Sequence, residues 1–470
     1  MLTSVPLYLL ALLYAAPACY SVYHVLLYKR DPRSAMGWIM ACVFLPFAGP
    51  VAYFLFGINR VRSRARGIRH RFLAIDYEAR VPHFRLPDQG VYGLEQIGQR
   101  VTGRPLSTGN SVGVLYNGEQ AYAAMLASIR TARERVLLST YIFKVDHVGR
   151  EFVDALAGAV ARGVSVMVLV DGVGQLYSRH RAAALLRKRG VPVARFLPLR
   201  LLPPSIHVNL RNHRKLLIID HHLAYAGGMN ISDDQTAGAD GPRRVTDVHF
   251  SLAGPVVADL AGIFFTDWLF ATGISAAHQS PPSTGPQGDA RCRVIPDGPD
   301  DEMDALALTI QAVVSAAGSA VDIMTPYFLP SRGLIASLQS AALRGVRLRI
   351  VLPGKNNLFY VHWAHRNVLT ELLGWGIEVY YQPAPFCHSK LLCVDEGYSL
   401  IGSANLDPRS LRLNFELGIE VFATQLNAEL RRHVDAVVAE SARVTREELT
   451  GRSVAVRLRD SAAYLLSPYL

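Results

Sequence analysis

Two short stretches carry the residues best suited to chemistry. In the first, His213-Arg214-Lys215 is followed by Leu216–Ile219, Asp220 and then Gly227-Gly228-Met229-Asn230; in the second, His388-Ser389-Lys390 is followed by Leu391–Val394, Asp395 and then Gly402-Ser403-Ala404-Asn405. Both obey H-x-K-x4-D-x6-G-[GS]-x-N without a gap. The only lysines are Lys29, Lys144, Lys188, Lys215, Lys355 and Lys390, and there are 15 histidines in 470 residues. Chance then supplies about 0.2 H-x-K pairs in the chain, so two complete copies are a signal.

On a strand, residues i and i+2 share a face, so the His and Lys of each copy are expected to point the same way. If the copies meet about a pseudo-twofold axis, one pocket receives two imidazoles, two ammonium groups and the amides of Asn230 and Asn405. That is an anion site with two titratable bases, which a phosphodiester needs. One neutral imidazole attacks phosphorus, the other as imidazolium protonates the leaving alkoxide, and the lysines and amides stabilise charge on the non-bridging oxygens. Such a scheme asks for no metal and no cofactor. A metal site drawn from His207, His213, His221, His222 and His249 lacks customary ligand spacing. A satisfied core network of His and Lys would have to arise twice in register.

The surrounding pattern is that of an α/β protein whose unit occurs twice. Strand runs at 135–143 and 164–170 alternate with helical runs at 149–162 and 178–189, and the order recurs with strands at 320–328 and 346–352 and helices at 331–344 and 358–375. Tyr141 matches Tyr327, Arg162-Gly163-Val164 matches Arg344-Gly345-Val346, and Gly190 matches Gly376. A Ser/Pro/Gly-rich stretch at 275–290 reads as the linker between copies.

Ahead of these copies lie two runs without Asp, Glu, Lys or Arg, Leu2 to Tyr28 and Ser34 to Asn59. Each exceeds the roughly 20 residues that cross a bilayer as a helix, and the second, broken by Pro46, Gly49 and Pro50, reads as a kinked span or a re-entrant element. A signal peptide is the other reading of the first run, against its lack of a basic start. Six arginines follow (Arg60, Arg62, Arg64, Arg66, Arg69 and Arg71), which by the positive-inside bias puts them and all that follows on the cytoplasmic side. They also suit anionic lipid headgroups. The net charge of +11 fits an anionic partner and, with 50% hydrophobic residues, excludes a disordered chain. Five cysteines without a CxxC pair argue against a zinc ribbon or a disulfide framework.

With its paired H-x-K-x4-D signature over about residues 110–450, the sequence resembles the phospholipase D superfamily. The resemblance implies two pseudo-twofold-related α/β/α lobes sharing one active site, a phosphohistidine intermediate and metal independence. It implies His213 as nucleophile and His388 as general acid/base, although the reverse assignment stays open. It further implies that a carboxylate downstream of each motif orients the imidazole, with Asp247 and Glu416 suitably placed. Asp220 and Asp395 complete the catalytic motifs, in a role better suited to structure than to chemistry. Ser403, where the first copy has Gly228, would add a hydroxyl to the phosphate site. The expected organisation is a two-segment membrane region (1–60), a basic connection (61–109), a first lobe (110–274), the linker (275–290), a second lobe (291–455) and an apolar tail (456–470).

The first copy also carries 11 extra residues before His213, in the apolar stretch Phe196–Asn212. A loop of this kind beside a phosphate site fits acyl chains. Together with Trp38, the 46–57 segment and the closing Leu465-Leu466-Ser467-Pro468-Tyr469-Leu470, this layout resembles the bacterial cardiolipin synthases of that superfamily. The resemblance implies transfer of a phosphatidyl group between two phosphatidylglycerol molecules, at the bacterial inner membrane, with anionic lipid as partner and no nucleic acid. A membrane-bound phospholipase D that hydrolyses phospholipid to phosphatidic acid would use the same residues. A nuclease would have no use for two apolar runs and would show a basic-aromatic stripe that is missing here.

Overall fold

A computed structural model describes residues 7–29, 32–45, 47–57, 91–199, 210–236, 244–275, 284–299 and 304–467. Two compact units are distinguished; of the described residues, those at 7–57 belong to the smaller and the rest to the larger.

In the larger unit, the first lobe contributes strands β1 (Ser107–Tyr116), β2 (Arg135–Thr140), β3 (Ser165–Asp171), β4 (Val193–Phe196), β5 (Leu216–Ile219), β6 (Leu223–Gly227), β7 (Val245–Thr246) and β8 (Val248–Ala253). The second contributes β9 (Ala290–Asp297), β10 (Ala320–Met324), β11 (Arg347–Pro353), β12 (Glu378–Gln382), β13 (Phe386–Cys387), β14 (Leu391–Val394), β15 (Tyr398–Gly402), β16 (Glu416–Phe422) and β17 (Ala442–Arg443). Fifteen of these form one sheet in the order β17-β12-β11-β10-β14-β15-β16-β9-β1-β8-β6-β5-β2-β3-β4. Read outward from the central β9–β1 pair, the two halves run in the same succession, so the duplication in sequence is a duplication in topology.

The repeat extends to details. The helices His147–Ala161 and Arg332–Leu343 are each capped by a side chain taking a backbone N–H, Asp146 from Gly149 and Ser331 from Leu334, which satisfies a donor the first turn leaves open. Both end at the same left-handed turn, Gly163 at φ 85° and Gly345 at φ 83°, which a Cβ would strain. The strands β2, β3, β10 and β11 are buried almost throughout, as their Val/Leu/Ile runs require, under helices on each side. One core gathers Phe152, Leu156 and Val168 of the first lobe, another Leu338, Ile350 and Leu372 of the second.

Two boundaries differ from expectation. The segment before the first lobe contains a helix, Val91–Thr102, whose Leu94, Ile97 and Val101 pack on the core of the second lobe. The stretch expected as an apolar tail contains a helix, Val454–Leu465, seated on Phe359–Leu373.

In the smaller unit, helices Leu7–Tyr28 and Pro32–Phe44 are followed by a short helix, Ala48–Ala52, and a π turn, Tyr53–Gly57. Val25, Cys42 and Tyr53 are buried between them, and the Tyr53 ring meets Trp38 edge-on at 5.3 Å. Among the described residues, no helix is long and apolar enough to cross a membrane. At 1.5 Å per residue, Pro32–Phe44 is about 20 Å long, short of the roughly 30 Å hydrocarbon layer. The arginine cluster at 60–71, most of the apolar insertion with its Leu201, Leu202, Ile206 and Val208, and the centre of the linker lie outside the described residues.

Candidate active site

Each H-x-K triplet lies in an extended run just before its strand, β5 or β14, and not in the strand itself. These runs pair across the lobes. Asn212 bridges in parallel to Phe415, with the His213 N–H donating to the Phe415 carbonyl at 2.9 Å and the Phe415 N–H donating to the Arg211 carbonyl at 2.8 Å. In the other copy β13 pairs in parallel with β7, and the His388 N–H donates to the Thr246 carbonyl at 2.7 Å. Both exchanges put a histidine beside a residue that follows in the opposite lobe.

Those residues are the carboxylates. His213 Nδ1 is 2.9 Å from Glu416 Oε1 and 3.1 Å from Oε2, and His388 Nδ1 is 3.0 Å from Asp247 Oδ2. Each imidazole is therefore backed by a carboxylate from the other half, a crossing that spacing along one copy does not reveal. Both carboxylates are buried, and both rings face a cavity of about 340 Å³. With Nδ1 engaged, Nε2 is the atom left for chemistry: that of His213 has no hydrogen bond to a described residue, and that of His388 meets Lys390 Nζ at 3.2 Å.

The electrostatics favour neutral imidazoles. Burial, only partly offset by the Glu416 carboxylate, pulls His213 down to about 4. Burial and the neighbouring Lys390 ammonium do the same for His388. Burial pushes Glu416 up, but His213, Lys215 and the Ser403 hydroxyl outweigh it and hold the carboxyl below its ordinary value. Burial brings Lys390 to about 8 and Lys215 well below its ordinary value.

His213, Asn230, His388 and Asn405 line the cavity together. Asn230 Oδ1 accepts the Ile142 N–H at 3.1 Å, and Asn405 Oδ1 is buried with no partner among the described residues. The lysines stand behind the rings. Lys215 donates to the His213 carbonyl at 2.7 Å, and Lys390 donates to the His388 carbonyl at 2.6 Å with its ammonium 3.2 Å from His388 Nε2.

One expectation, the place of Ser403, needs correcting, while the positions of Asp220 and Asp395 agree with a structural role. Asp220 and Asp395 lie at the far ends of β5 and β14 and do not line the cavity. Asp220 accepts the N–H groups of Arg133, Glu134 and Arg135 at 2.8 Å each; Asp395 accepts those of Gly318, Ser319 and Ala320 at 2.8–3.0 Å. They close the turns entering β2 and β10. The Ser403 hydroxyl donates to Glu416 Oε2 at 2.5 Å and accepts the Leu417 N–H at 2.9 Å, so it fixes the carboxylate instead of facing phosphate. In the first copy a Cβ at Gly228 would lie 2.6 Å from Asp247 Oδ2, which is why no side chain stands there.

Tyr141 and Tyr327, noticed in the sequence as repeat markers, stand edge-on to the histidines, at 5.1 Å from His213 and 6.5 Å from His388. Arg211, Arg409 and Asn414 also line the cavity, and Asn414 donates to Glu416 Oε1 at 3.1 Å. Tyr recurrence was the available signal; nothing in the motif spacing marked the other three. Among the described residues no group of three or more His, Cys, Asp or Glu is placed to hold a metal ion.

A duplicated α/β fold that presents two carboxylate-backed imidazoles to one cavity defines a two-lobed phospholipase D-type enzyme. The chain belongs to the family described as cardiolipin synthase, PLD-like domain, which matches residues 125–243 and 310–438. Residues 16–57 match the phospholipase D-nuclease N-terminal family. The chain is 30% identical to the major cardiolipin synthase of Bacillus subtilis (94% of this chain, 95% of that one) and 32% identical to cardiolipin synthase A of Pseudomonas aeruginosa (95% and 93%). Its fold is similar to that of phosphatidylserine synthase from Haemophilus influenzae, with a TM-score of 0.62 at 16% identity over 80% of this chain and all of that one.

Proposed function

We propose that this chain is a cardiolipin synthase that transfers the phosphatidyl group of one phosphatidylglycerol to a hydroxyl of another, releasing glycerol. The observation that carries the chemistry is the crossed pairing of His213 with Glu416 and His388 with Asp247 at one cavity. Neutral His213 Nε2, with no hydrogen bond to a described residue, attacks phosphorus; the P–O bond to glycerol breaks and the alkoxide takes the Nε2 proton of His388, which enters the step as imidazolium after the phosphodiester anion has brought a proton onto it. In the second step the acceptor hydroxyl oxygen bonds to phosphorus, its proton passes to His388 and the P–N bond to His213 breaks. Lys215, Lys390, Asn230 and Asn405 stabilise the charge on the non-bridging oxygens.

A membrane setting is supported by the smaller unit, where Tyr20, Leu26, Met36, Phe44, Val51 and Phe54 are all exposed. So much apolar surface calls for an apolar cover. We read the unit as inserted in the bacterial inner membrane, with the lobes on the cytoplasmic side and anionic lipid at the arginine cluster. Concentrating acceptor lipid at a partly dry site favours transfer over hydrolysis.

The test is purified full-length protein in phosphatidylglycerol vesicles with chelator, followed by lipid mass analysis. Cardiolipin with equimolar glycerol is expected. Phosphatidic acid alone would make it a hydrolase, and dependence on divalent metal would overturn the two-imidazole scheme.

A further inference from the structure

The cavity departs from twofold symmetry just beyond each motif. Counting on from Asn230 and Asn405, the repeat aligns Ser232 with Asp407, Asp234 with Arg409 and Gln235 with Ser410, and all six line the cavity. On the first-lobe side Asp234 forms an ion pair with Lys144, another cavity residue, so that flank is electrically closed. On the second-lobe side the Arg409 guanidinium makes no hydrogen bond or ion pair with any described residue.

Arg409 lines the cavity together with Tyr141 and Arg211 of the first lobe. Its charge acts on the Tyr141 hydroxyl and on Arg211, both from the first lobe, and Tyr141 is the ring beside His213. Asp407, two residues away, feels its charge but forms no ion pair with it: Asp407 Oδ1 accepts the Ser410 N–H at 2.7 Å and caps the short helix Pro408–Arg412. Arg211 is itself committed to Asp171 at 3.5 Å. A partly buried cation left beside a second cation is unfavourable until an anion joins it.

Resting on the transferase reading above, we propose that Arg409 forms a second anion subsite that holds the phosphodiester of the acceptor lipid. The reacting phosphorus is already served by the histidines, lysines and asparagines. An acceptor phosphatidylglycerol brings a phosphate of its own, joined to the attacking hydroxyl by a three-carbon glycerol bridge. While that hydroxyl bonds to phosphorus, its proton moves to His388 and the bond to His213 breaks, the second phosphate must rest about one glycerol away. Water needs no such support. Arg409 touches neither the forming nor the breaking bond, so it is a residue of acceptor specificity, and its pairing geometry suits a phosphodiester.

The experiment is a competition between acceptors. Full-length wild type, Arg409→Gln and Arg409→Lys are given phosphatidylglycerol vesicles containing ethanol, and the ratio of cardiolipin to phosphatidylethanol is measured. The ratio does not depend on how much enzyme is active. We expect it to fall roughly tenfold to a hundredfold in Arg409→Gln, the range for losing one charge-assisted bond, and less in Arg409→Lys. An unchanged ratio in both variants overturns the subsite. Independently of any variant, wild type should prefer phosphatidylglycerol to an uncharged alkylglycerol as acceptor, and equal use of the two would also overturn it. Wild type that makes phosphatidylethanol but no cardiolipin would instead refute the synthase reading itself.

Discussion

His388 Nδ1 lies 3.0 Å from Oδ2 of Asp247, a carboxylate 141 residues earlier in the chain and in the other lobe. His213 and Glu416 repeat the relationship in the opposite sense, 203 residues apart. Neither of these two pairs is complete within one lobe. Replacing Asp247 by Asn or Glu416 by Gln keeps shape but lets an amide N–H face the ring, favouring the wrong tautomer. Each change should lower the rate of cardiolipin formation by about 10²–10⁴-fold with thermal unfolding little changed. A loss under tenfold in either would remove the orienting role.

Proton uptake on binding follows from the same geometry. With both histidines drawn to about 4, the rings are neutral at pH 7. A phosphodiester anion arriving beside them favours the charged form, so the affected ring's value rises and a proton enters. Titration calorimetry of a non-hydrolysable phosphonate analogue, run in buffers of different ionisation enthalpy, should show uptake of up to about one proton near pH 7. Above about 8 the Lys390 ammonium is lost, so affinity should weaken as pH rises through that value. Binding with no proton uptake between pH 6 and 7 would contradict an imidazolium acid.

The Gly228 and Ser403 positions make a third pair of measurements. A serine at 228 would set its Cβ 2.6 Å from Asp247 Oδ2, so Gly228→Ser should displace that carboxylate and suppress turnover at least tenfold. Ser403→Ala removes the donor to Glu416 and strands the buried Leu417 N–H, a loss of about 1–3 kcal/mol in stability besides its effect on His213. If both variants retained wild-type turnover, the account of this asymmetry would fail.

What the sequence made legible was whatever repeats locally. Strand and helix positions, the doubled unit and the residues of the two motifs could all be seen because periodicity and spacing are properties of contiguous chain. The crossing of the carboxylates could not be seen, since pairing Asn212 with Phe415 and β13 with β7 depends on how two lobes meet. The role of Ser403 was hidden for a similar reason: its neighbours on the chain suggest phosphate, while its neighbour in space is Glu416. Helix Val91–Thr102 was missed because it is low in apolar residues overall, although those it has lie on one face, the face that meets the second lobe's core.

Arg214, the middle residue of the first triplet, supplies the last prediction. Its guanidinium pairs with Asp267 at 2.5 Å, donates from Nε to the Glu416 carbonyl at 2.8 Å and from NH2 to the Asp297 carbonyl at 3.1 Å, binding the first motif to the second lobe. Both side chains of the ion pair are only 4% exposed. Removing one partner leaves an uncompensated buried charge, which costs about 3–5 kcal/mol, so Asp267→Ala should lower the unfolding temperature by several degrees. The pair Arg332–Glu371 is the control: its side chains are 56% and 38% exposed, and solvent screening limits its worth to about 0–1 kcal/mol. Glu371→Ala should therefore unfold close to wild type, and thermal melts in which the two variants shift equally would show that Asp267 is not the buried support that holds Arg214 in place against the second lobe.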